Sequence, residues 1–318
     1  MTQAAASTLL RRFGVEAVAL RRVANLAHEV WRVRPRQGAD LALRLYPAAT
    51  ADAAAIDTEL DWLAALADAG LHVPRPCAAP GGRRRLVSPD GRPAVLLTWL
   101  GGRQHDRGLT PARLRQVGRF TGAAHRIASA QTAAGRVRLQ REAMPLDLGP
   151  WAAGTRPGAE RLPAALRAVL RPAAARLVAE IGAFGRAAET WGLIHGDLHP
   201  WNLLFVRGAA GAIDFSDCGW GHRAMDLAAT LQFLRHPLAG HADHRAAYPA
   251  LHAALFEGYA DERPLPPDAA HQVDTLITAR LFGTLEWMLD DWPALDHRAW
   301  GPGFVQDARV ALRAWLAR

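Results

Sequence analysis

Strand-like and helix-like residue patterns occupy different parts of this chain of 318 residues. Apolar and polar residues alternate, as in half-buried strands, at positions 29–33 and 41–46, which predicts a hairpin. A Pro-Asp-Gly turn at 89–91 between residues 85–87 and 94–100 predicts a second hairpin. Between the hairpins, residues 53–69 carry apolar side chains at helical spacing. The first hundred residues are therefore predicted to form a small antiparallel sheet with one helix.

Gly101 and Gly102 separate this segment from a longer part of the chain in which the patterning is mainly helical. Thr110 and Pro111 are the residue types preferred at a helix N-cap and at the first helical position. The predicted fold class is α+β, with a small lobe over residues 1–100 and a larger helical lobe over residues 103–318.

The composition excludes several classes of function. All 38 basic residues are arginine, and the absence of lysine excludes a P-loop and Schiff-base or pyridoxal-phosphate chemistry, which need one. The arginines behind the net charge of +8 are scattered, whereas nucleic-acid-binding proteins cluster them with aromatic residues. Cys77 and Cys218 are too few for a disulfide framework or a zinc site.

The chain also lacks the patterns of membrane insertion and export. No stretch approaches the ~20 uncharged apolar residues of a membrane helix. Arg11 and Arg12 interrupt the N-terminal apolar segment, unlike the layout of a signal peptide. We therefore expect a soluble, cytoplasmic protein that binds neither nucleic acid nor a membrane.

The segment 193–217, LIHGDLHPWNLLFVRGAAGAIDFSD, interrupts the helical pattern. Its short apolar runs at 203–206 and 212–215 flank a glycine-containing turn, which predicts an antiparallel hairpin. Centring this hairpin on the turn pairs residue 204 with residue 214.

This pairing brings three oxygen-bearing side chains together. Asn202 begins the first predicted strand, Asp214 lies beside it in the second, and Asp197 lies in the preceding loop within reach of the same point. Phosphoryl transfer needs hard oxygen ligands for Mg²⁺ and a carboxylate that orients the attacking hydroxyl. We therefore interpret Asn202 and Asp214 as metal ligands and Asp197 as the catalytic base.

The sequence HGDLHPWN at 195–202 resembles the catalytic loop of the aminoglycoside phosphotransferase / choline kinase family. The sequence IDF at 213–215 is similar to that family's counterpart of the kinase D-F-G motif, and 218–228 resembles its bacterial members. The resemblance implies a bilobal protein-kinase-like fold with ATP, or GTP, in the cleft and Mg²⁺ as cofactor. It also implies a small hydroxylated acceptor, with or without an amine.

Matching positions extend the resemblance to the small lobe. Arg44, in ALRLY, falls where the family's phosphate-pairing lysine stands, and Glu59 falls where the acid that steadies it stands. An ordinary surface charge pair is the alternative interpretation. The resemblance further implies that the backbone around Thr98, Trp99 and Leu100 binds the adenine edge.

Other matches concern the loop residues and their support. His195 is expected to brace the catalytic loop, and Asp226 is expected to be a buried acid that accepts loop N–H groups. His199, in the place of the protein-kinase loop lysine, is expected either to contact the γ-phosphate or to pack within the loop. Residues 23–28, where a glycine-rich phosphate loop would lie, contain no glycine.

Two competing motifs are weaker. Residues 219–224 spell G-x-G-x-x-A, but a dinucleotide site needs an acidic residue about 20 positions later at a strand end, where this chain has a loop-like segment. His195, Asp197 and His199 can be read as a metal cluster of a hydrolase, which leaves Asn202 and Asp214 unexplained.

The acceptor site is less defined. Glu286 and Asp290 share a predicted helix face, with Asp291 adjacent. In the resembled family, acids of the helical lobe bind substrate cations, so these three are candidate acceptor ligands; a solvated acidic helix end is the alternative.

Two other functions remain open at this point. One is a bacterial Ser/Thr protein kinase on the same fold. The other is a nucleotide-binding pseudokinase adaptor, suggested by Arg44 and the glycine-free loop, although Asp197, Asn202 and Asp214 favour an enzyme.

Overall fold

The computed structural model describes residues 1–25, 28–105, 107–135, 137, 141–143, 147–238, 241–290 and 297–318, with only the backbone described for 297–300. None of the helices within these ranges is long and apolar enough to cross a membrane.

The N-terminal part is an antiparallel sheet with one helix on each side. Its strands lie in the order β1-β2-β3-β6-β4, and β5 pairs with β6. Its elements are α1 (Gln3–Arg12), β1 (Ala17–Asn25), β2 (Glu29–Pro35), β3 (Leu41–Leu45), α2 (Ala53–Asp68), β4 (Pro76–Cys77), β5 (Arg85–Val87) and β6 (Pro93–Thr98). The structure thus contains both predicted hairpins and the helix between them, and it adds α1 and β1, which the sequence analysis did not predict.

The alternation of side chains along β3 decides which face of the sheet Arg44 occupies. Leu43 and Leu45 are fully buried in the core beneath α1. Because successive strand residues point to opposite faces, Arg44 points to the other side, toward α2 and the second lobe. Ile56 and Leu60 of α2 belong to a larger core that continues into the helical lobe.

The C-terminal part consists of helices packed around two short strand pairs. Its helices are α3 (Pro111–Ala133), α4 (Gly149–Ala153), α5 (Ala164–Ala183), α6 (Ala224–Arg235), α7 (Tyr248–Ala260), α8 (Ala269–Asp290) and α9 (His297–Leu316). Its strands are β7 (Trp191–Ile194), β8 (Leu203–Val206), β9 (Ala209–Ala212) and β10 (Gly219–His222), pairing β7 with β10 and β8 with β9. The boundary between the lobes at 101–102 stays a prediction.

The β8–β9 hairpin has a different register from the one predicted. Leu204 pairs with Gly211, not with residue 214. The turn is only Arg207 and Gly208, whose φ values of 48° and 84° suit a two-residue hairpin turn. Gly211 lies not in the turn, as the predicted hairpin places it, but in β9, where the chain approaches closely: a Cβ there would lie 2.2 Å from the carbonyl oxygen of His72.

Asn202 still lies beside the segment that carries Asp214, although the register differs. The N–H of Ile213 donates to the carbonyl oxygen of Asn202 at 3.0 Å, so the chain beyond β9 runs beside Asn202 and places Asp214 next in sequence.

Candidate active site

The loop that follows β7 is held from behind by a buried acid. Asp226, on α6, accepts the backbone N–H groups of His195 and Gly196, each at 2.9 Å. Its Oδ2 also lies 2.9 Å from Nε2 of His125, a fully buried residue of α3. Burial opposes ionisation of Asp226, but the His125 hydrogen bond and the surrounding donors outweigh it and lower the pKa of Asp226. The loop is thus tied to two helices through one carboxylate.

His195 connects this loop to the segment that carries Asp214. Its Nε2 lies 3.0 Å from the carbonyl oxygen of Ile213, and its Nδ1 accepts the N–H of Asp197 at 3.3 Å. Its ring packs on Phe215 at 4.5 Å between centroids. The imidazole therefore spans the two halves of the site.

Gly196 explains why the loop can turn at this point. Its φ is 87°, and a Cβ there would lie 2.6 Å from the carbonyl oxygen of Asp217. A side chain at this position would push the loop away from the Asp214 segment.

Asp197 lies between a cation and an imidazole. Its Oδ1 accepts a hydrogen bond of 2.8 Å from Nη2 of Arg280, and its Oδ2 lies 3.3 Å from Nε2 of His199. Burial opposes ionisation, but the His199 hydrogen bond and the charges of His199 and Arg280 hold the pKa of Asp197 well below its usual range. Asp197 is therefore a carboxylate across the physiological pH range.

Arg280 is the residue that the sequence analysis missed. It lies on α8, is 4% exposed, and its guanidinium also contacts the carbonyl oxygen of Gly196 at 3.3 Å and Oε1 of Gln232 at 2.7 Å. The available signal was a single arginine in the apolar run LITARLFGTL, because a buried charge must have a partner.

Asn202 and Asp214 lie on adjacent segments of the chain, joined through the backbone of Ile213. The side-chain N–H₂ of Asn202 donates to the carbonyl oxygen of Asp197 at 2.9 Å, which leaves its amide oxygen for another partner. Asp214 has left-handed backbone, with φ of 63°, and accepts a hydrogen bond of 2.9 Å from Ser216. The Asp214 side chain is 48% exposed, so its carboxylate can reach a ligand in the cleft.

The carboxylates of this cleft repel one another. Burial, followed by the charges of Asp197 and Asp214, raises the pKa of Asp217 to about 6. An amide oxygen and several carboxylates in one cleft are the hard donors that Mg²⁺ takes, so the residues fit a divalent cation. No cluster of three or more His, Cys, Asp or Glu residues with metal-ligand placement occurs within the described ranges.

Arg44 and Glu59 form a buried pair at the top of the cleft, not a surface pair. Arg44 is 5% exposed and Glu59 is 1% exposed, and Nη2 of Arg44 donates to Oε1 of Glu59. Tyr46 joins them by donating to Glu59 at 2.7 Å and accepting from Arg44 at 2.6 Å. Nη1 of Arg44 reaches Asp214 at 3.3 Å, so this pair links the two lobes.

One donor of Arg44 is free for a ligand. Within the described part of the chain, its buried Nε has no hydrogen-bond partner. A phosphate oxygen in the cleft is a suitable acceptor for it, because guanidinium groups pair well with phosphate.

The predicted adenine-binding backbone is partly engaged already. The N–H of Thr98 donates to the carbonyl oxygen of Arg75 and that of Trp99 to the carbonyl oxygen of Asp40, each at 2.9 Å. Among these three residues, Leu100 is the one whose N–H has no partner in the described ranges. Adenine recognition through an N–H here therefore points to Leu100.

His199 packs within the loop as well as contacting Asp197. Its ring lies 5.3 Å from Trp201, which in turn packs on Phe233 at 4.7 Å. The predicted contact of His199 with the γ-phosphate stays a prediction.

The acidic candidates for acceptor binding have an internal partner. Nε of Arg156 lies 3.0 Å from Glu286, and Nη2 of Arg156 lies 2.6 Å from Asp290. Asp291 lies outside the described residues. The role of these acids as ligands of a substrate cation stays a prediction, and Arg156 offsets part of their charge.

Residues 19–265 match the profile of the phosphotransferase enzyme family. The chain is 22% identical over 241 residues to amicoumacin kinase of Bacillus subtilis (strain 168), which covers 73% of this chain and 69% of that protein. It superposes on an amicoumacin kinase in complex with AMP-PNP, Ca²⁺ and Ami with a TM-score of 0.77, at 18% identity and covering 98% and 92% of the two chains. A microcompartment-associated aminopropanol kinase gives a TM-score of 0.76, at 25% identity and coverage of 99% and 96%.

Proposed function

The chain belongs to the phosphotransferase enzyme family, and we propose that it transfers the γ-phosphoryl group of a nucleoside triphosphate to a hydroxyl group of a small molecule, with Mg²⁺. Membership confirms the predicted family, the kinase-like α+β fold and the class of enzyme, a small-molecule phosphotransferase. The nucleotide, the metal, the acceptor and the residue roles are the proposal.

The observation that carries it is the convergence of Asp197, Asn202 and Asp214. Asn202 binds the backbone of Asp197 through its side chain and the backbone of Ile213 through its carbonyl oxygen. His195 ties the same two segments together. These hydrogen bonds join the segments that carry the proposed hydroxyl-orienting carboxylate and the two proposed oxygen ligands. This supports the proposal, because catalysis of phosphoryl transfer depends mainly on positioning.

Asp197 orients the acceptor hydroxyl. As the hydroxyl oxygen forms a bond to the γ-phosphorus, the bond from phosphorus to the β–γ bridging oxygen breaks and its electron pair leaves on the nucleoside diphosphate. The hydroxyl proton passes to Asp197. Because Arg280 and His199 hold the pKa of this carboxylate low, proton transfer comes late, and the main contribution of Asp197 is orientation.

Asn202 and Asp214 are the residues that would hold the metal. When bound, Mg²⁺ neutralises charge on the phosphate oxygens. Arg44 supplies positive charge from the opposite side of the cleft, and its unpartnered Nε is a donor for a phosphate oxygen. Glu59 and Tyr46 hold the guanidinium in place.

We propose an amine-bearing alcohol as the acceptor class. The two similar kinases above act, by their names, on amicoumacin and aminopropanol. In this chain, Trp287 is 41% exposed and lies seven positions after Arg280, on the same face of α8 as the residue that contacts Asp197. An exposed indole two helical turns along α8 from Arg280 suits an acceptor that carries a cation.

The experiment is an acceptor screen with the purified protein, ATP and Mg²⁺. Amino alcohols, aminoglycosides and Ser/Thr peptides are compared by ADP release, and ³¹P NMR identifies the product as a phosphate ester. We expect turnover with an amine-bearing alcohol. Turnover with peptides alone would identify a protein kinase, and nucleotide binding without turnover on any acceptor would favour the pseudokinase adaptor.

Arg280→Met should lower kcat/KM at pH 7.5 by about tenfold or more, because Asp197 loses the partner that orients it. The loss should grow at lower pH. Removing the Arg280 charge raises the pKa of Asp197, so Asp197 of the variant becomes protonated at a pH where that of the wild type is still ionised. The measurement is the pH profile of kcat/KM between pH 5 and 8, since those values bracket the range where a raised carboxylate pKa is visible.

Arg176→Met is the matched control, since Arg176 is a partly exposed arginine of the same lobe that pairs with Glu180. Arg280→Lys should restore part of the charge effect but not the three-way contact. A pH profile of Arg280→Met identical to that of the wild type would show that Arg280 does not act through Asp197.

A further inference from the structure

An imidazole stands at the phosphate end of the cleft, where kinase-like proteins use a glycine-rich turn. His28 immediately precedes β2, at the end of the glycine-free segment 23–28. His28 thus lies at the start of β2, the strand between β1 and β3, and β3 carries Arg44.

The His28 ring is held by the buried network of Arg44. It packs edge-on against the ring of Tyr46, with centroids 4.9 Å apart and an interplanar angle of 61°. Tyr46 in turn is hydrogen-bonded to Glu59 and to Arg44. The imidazole is therefore fixed on the element that carries the phosphate-facing guanidinium.

The surroundings of His28 are those of the reaction site. Burial, followed by the charge of Arg44, lowers the pKa of His28, while Asp214 and Glu59 act in the opposite direction. The ring thus lies within electrostatic reach of Arg44 above the cleft and of Asp214 below it.

His28 has an unused polar atom. Its Nδ1 is fully covered and has no hydrogen-bond partner among the described residues. A buried imidazole nitrogen without a partner is costly unless a ligand supplies one. The cleft beside it holds a free donor of Arg44 and the exposed carboxylate of Asp214, which is where the phosphates of a nucleotide belong under the proposed function.

We propose that His28 is a phosphate-binding residue, whose imidazole N–H donates to the β- or γ-phosphate of the bound nucleoside triphosphate. It supplies by a side chain the contact that a glycine-rich turn supplies by backbone N–H groups. A neutral imidazole carries one N–H donor, which is enough for this contact. The inference rests on the proposed function, since it presumes a nucleotide in this cleft.

The test compares two ligands that differ in their phosphates. AMP-PNP with Mg²⁺ and adenosine are titrated by calorimetry into the wild type, His28→Phe and His28→Gln. Phenylalanine keeps the edge contact with Tyr46 but has no N–H, and glutamine keeps a donor. His271→Phe, at an exposed histidine of α8, is the matched control.

We expect His28→Phe to weaken AMP-PNP binding about tenfold, as for loss of a charge-assisted hydrogen bond, and to leave adenosine binding unchanged. His28→Gln should recover part of the affinity, and His271→Phe should match the wild type. Equal losses for AMP-PNP and adenosine would show that His28 only packs the cleft, and no loss for either would remove it from the site. A wild type that binds AMP-PNP without transferring phosphate to any acceptor would contradict the proposed function and leave the His28 comparison valid.

Discussion

Asp197→Asn is expected to lower kcat for phosphoryl transfer by about a thousandfold, while AMP-PNP binding stays unchanged. Asparagine preserves the shape of the side chain and can still accept the hydrogen bond from Arg280. It cannot take the hydroxyl proton, and it presents no negative charge to the attacking oxygen. The measurements are kcat by ADP release and the Kd of AMP-PNP by calorimetry.

The control is Asp68→Asn, which makes the same chemical change at an exposed aspartate of α2 that pairs with Arg75. That variant should behave as the wild type in both measurements. If Asp197→Asn turned over at the rate of the wild type, Asp197 would have no part in the chemistry and the reaction would need another base.

Asp214→Asn is expected to abolish the dependence of AMP-PNP binding on Mg²⁺ and to lower kcat by about a thousandfold or more. The reason is the loss of the negatively charged oxygen that faces the cleft. Asparagine tolerates the left-handed backbone at this position, where φ is 63°, so the loop should keep its path. The measurement is the Kd of AMP-PNP across a Mg²⁺ series.

Asp217→Asn tests whether Asp214, the proposed metal ligand, acts differently from its neighbour Asp217. Asp217 lies three residues further on, and its pKa of about 6 means that a neutral side chain there resembles a state the wild type already visits. We therefore expect Asp217→Asn to lower kcat less than Asp214→Asn does, and AMP-PNP binding to stay dependent on Mg²⁺. If both variants lost kcat and Mg²⁺ dependence equally, Asp214 and Asp217 would have to bind the metal together.

The sequence located the catalytic loop better than it located the strands around it. The spacing of Asp197, Asn202 and Asp214 is local, and a hairpin in any nearby register brings the last two together, so the error in the β8–β9 register did not separate them. That register depends on the approach of His72 to Gly211, a contact between residues far apart in the chain.

The predicted acceptor ligands Glu286 and Asp290 have a partner that no local sequence pattern indicates. Glu286 and Asp290 were chosen because acids one helical turn apart share a face. The chain packs Arg156, from a segment more than a hundred residues earlier, against both of them. No pattern within α8 could reveal that partner.

The sequence by itself determined the class of fold and the family, because these follow from periodicity and from short motifs. It also predicted Asp197, Asn202 and Asp214 as the oxygen-bearing residues of the site, from their short-range spacing. Only the tertiary structure decided that Arg280 pairs with Asp197, that Tyr46 completes the Arg44–Glu59 pair and that the His28 ring packs against Tyr46. The physical reason is that a buried charge or imidazole must find its partner in space, and the partner can come from any element that the packing of the core brings next to it.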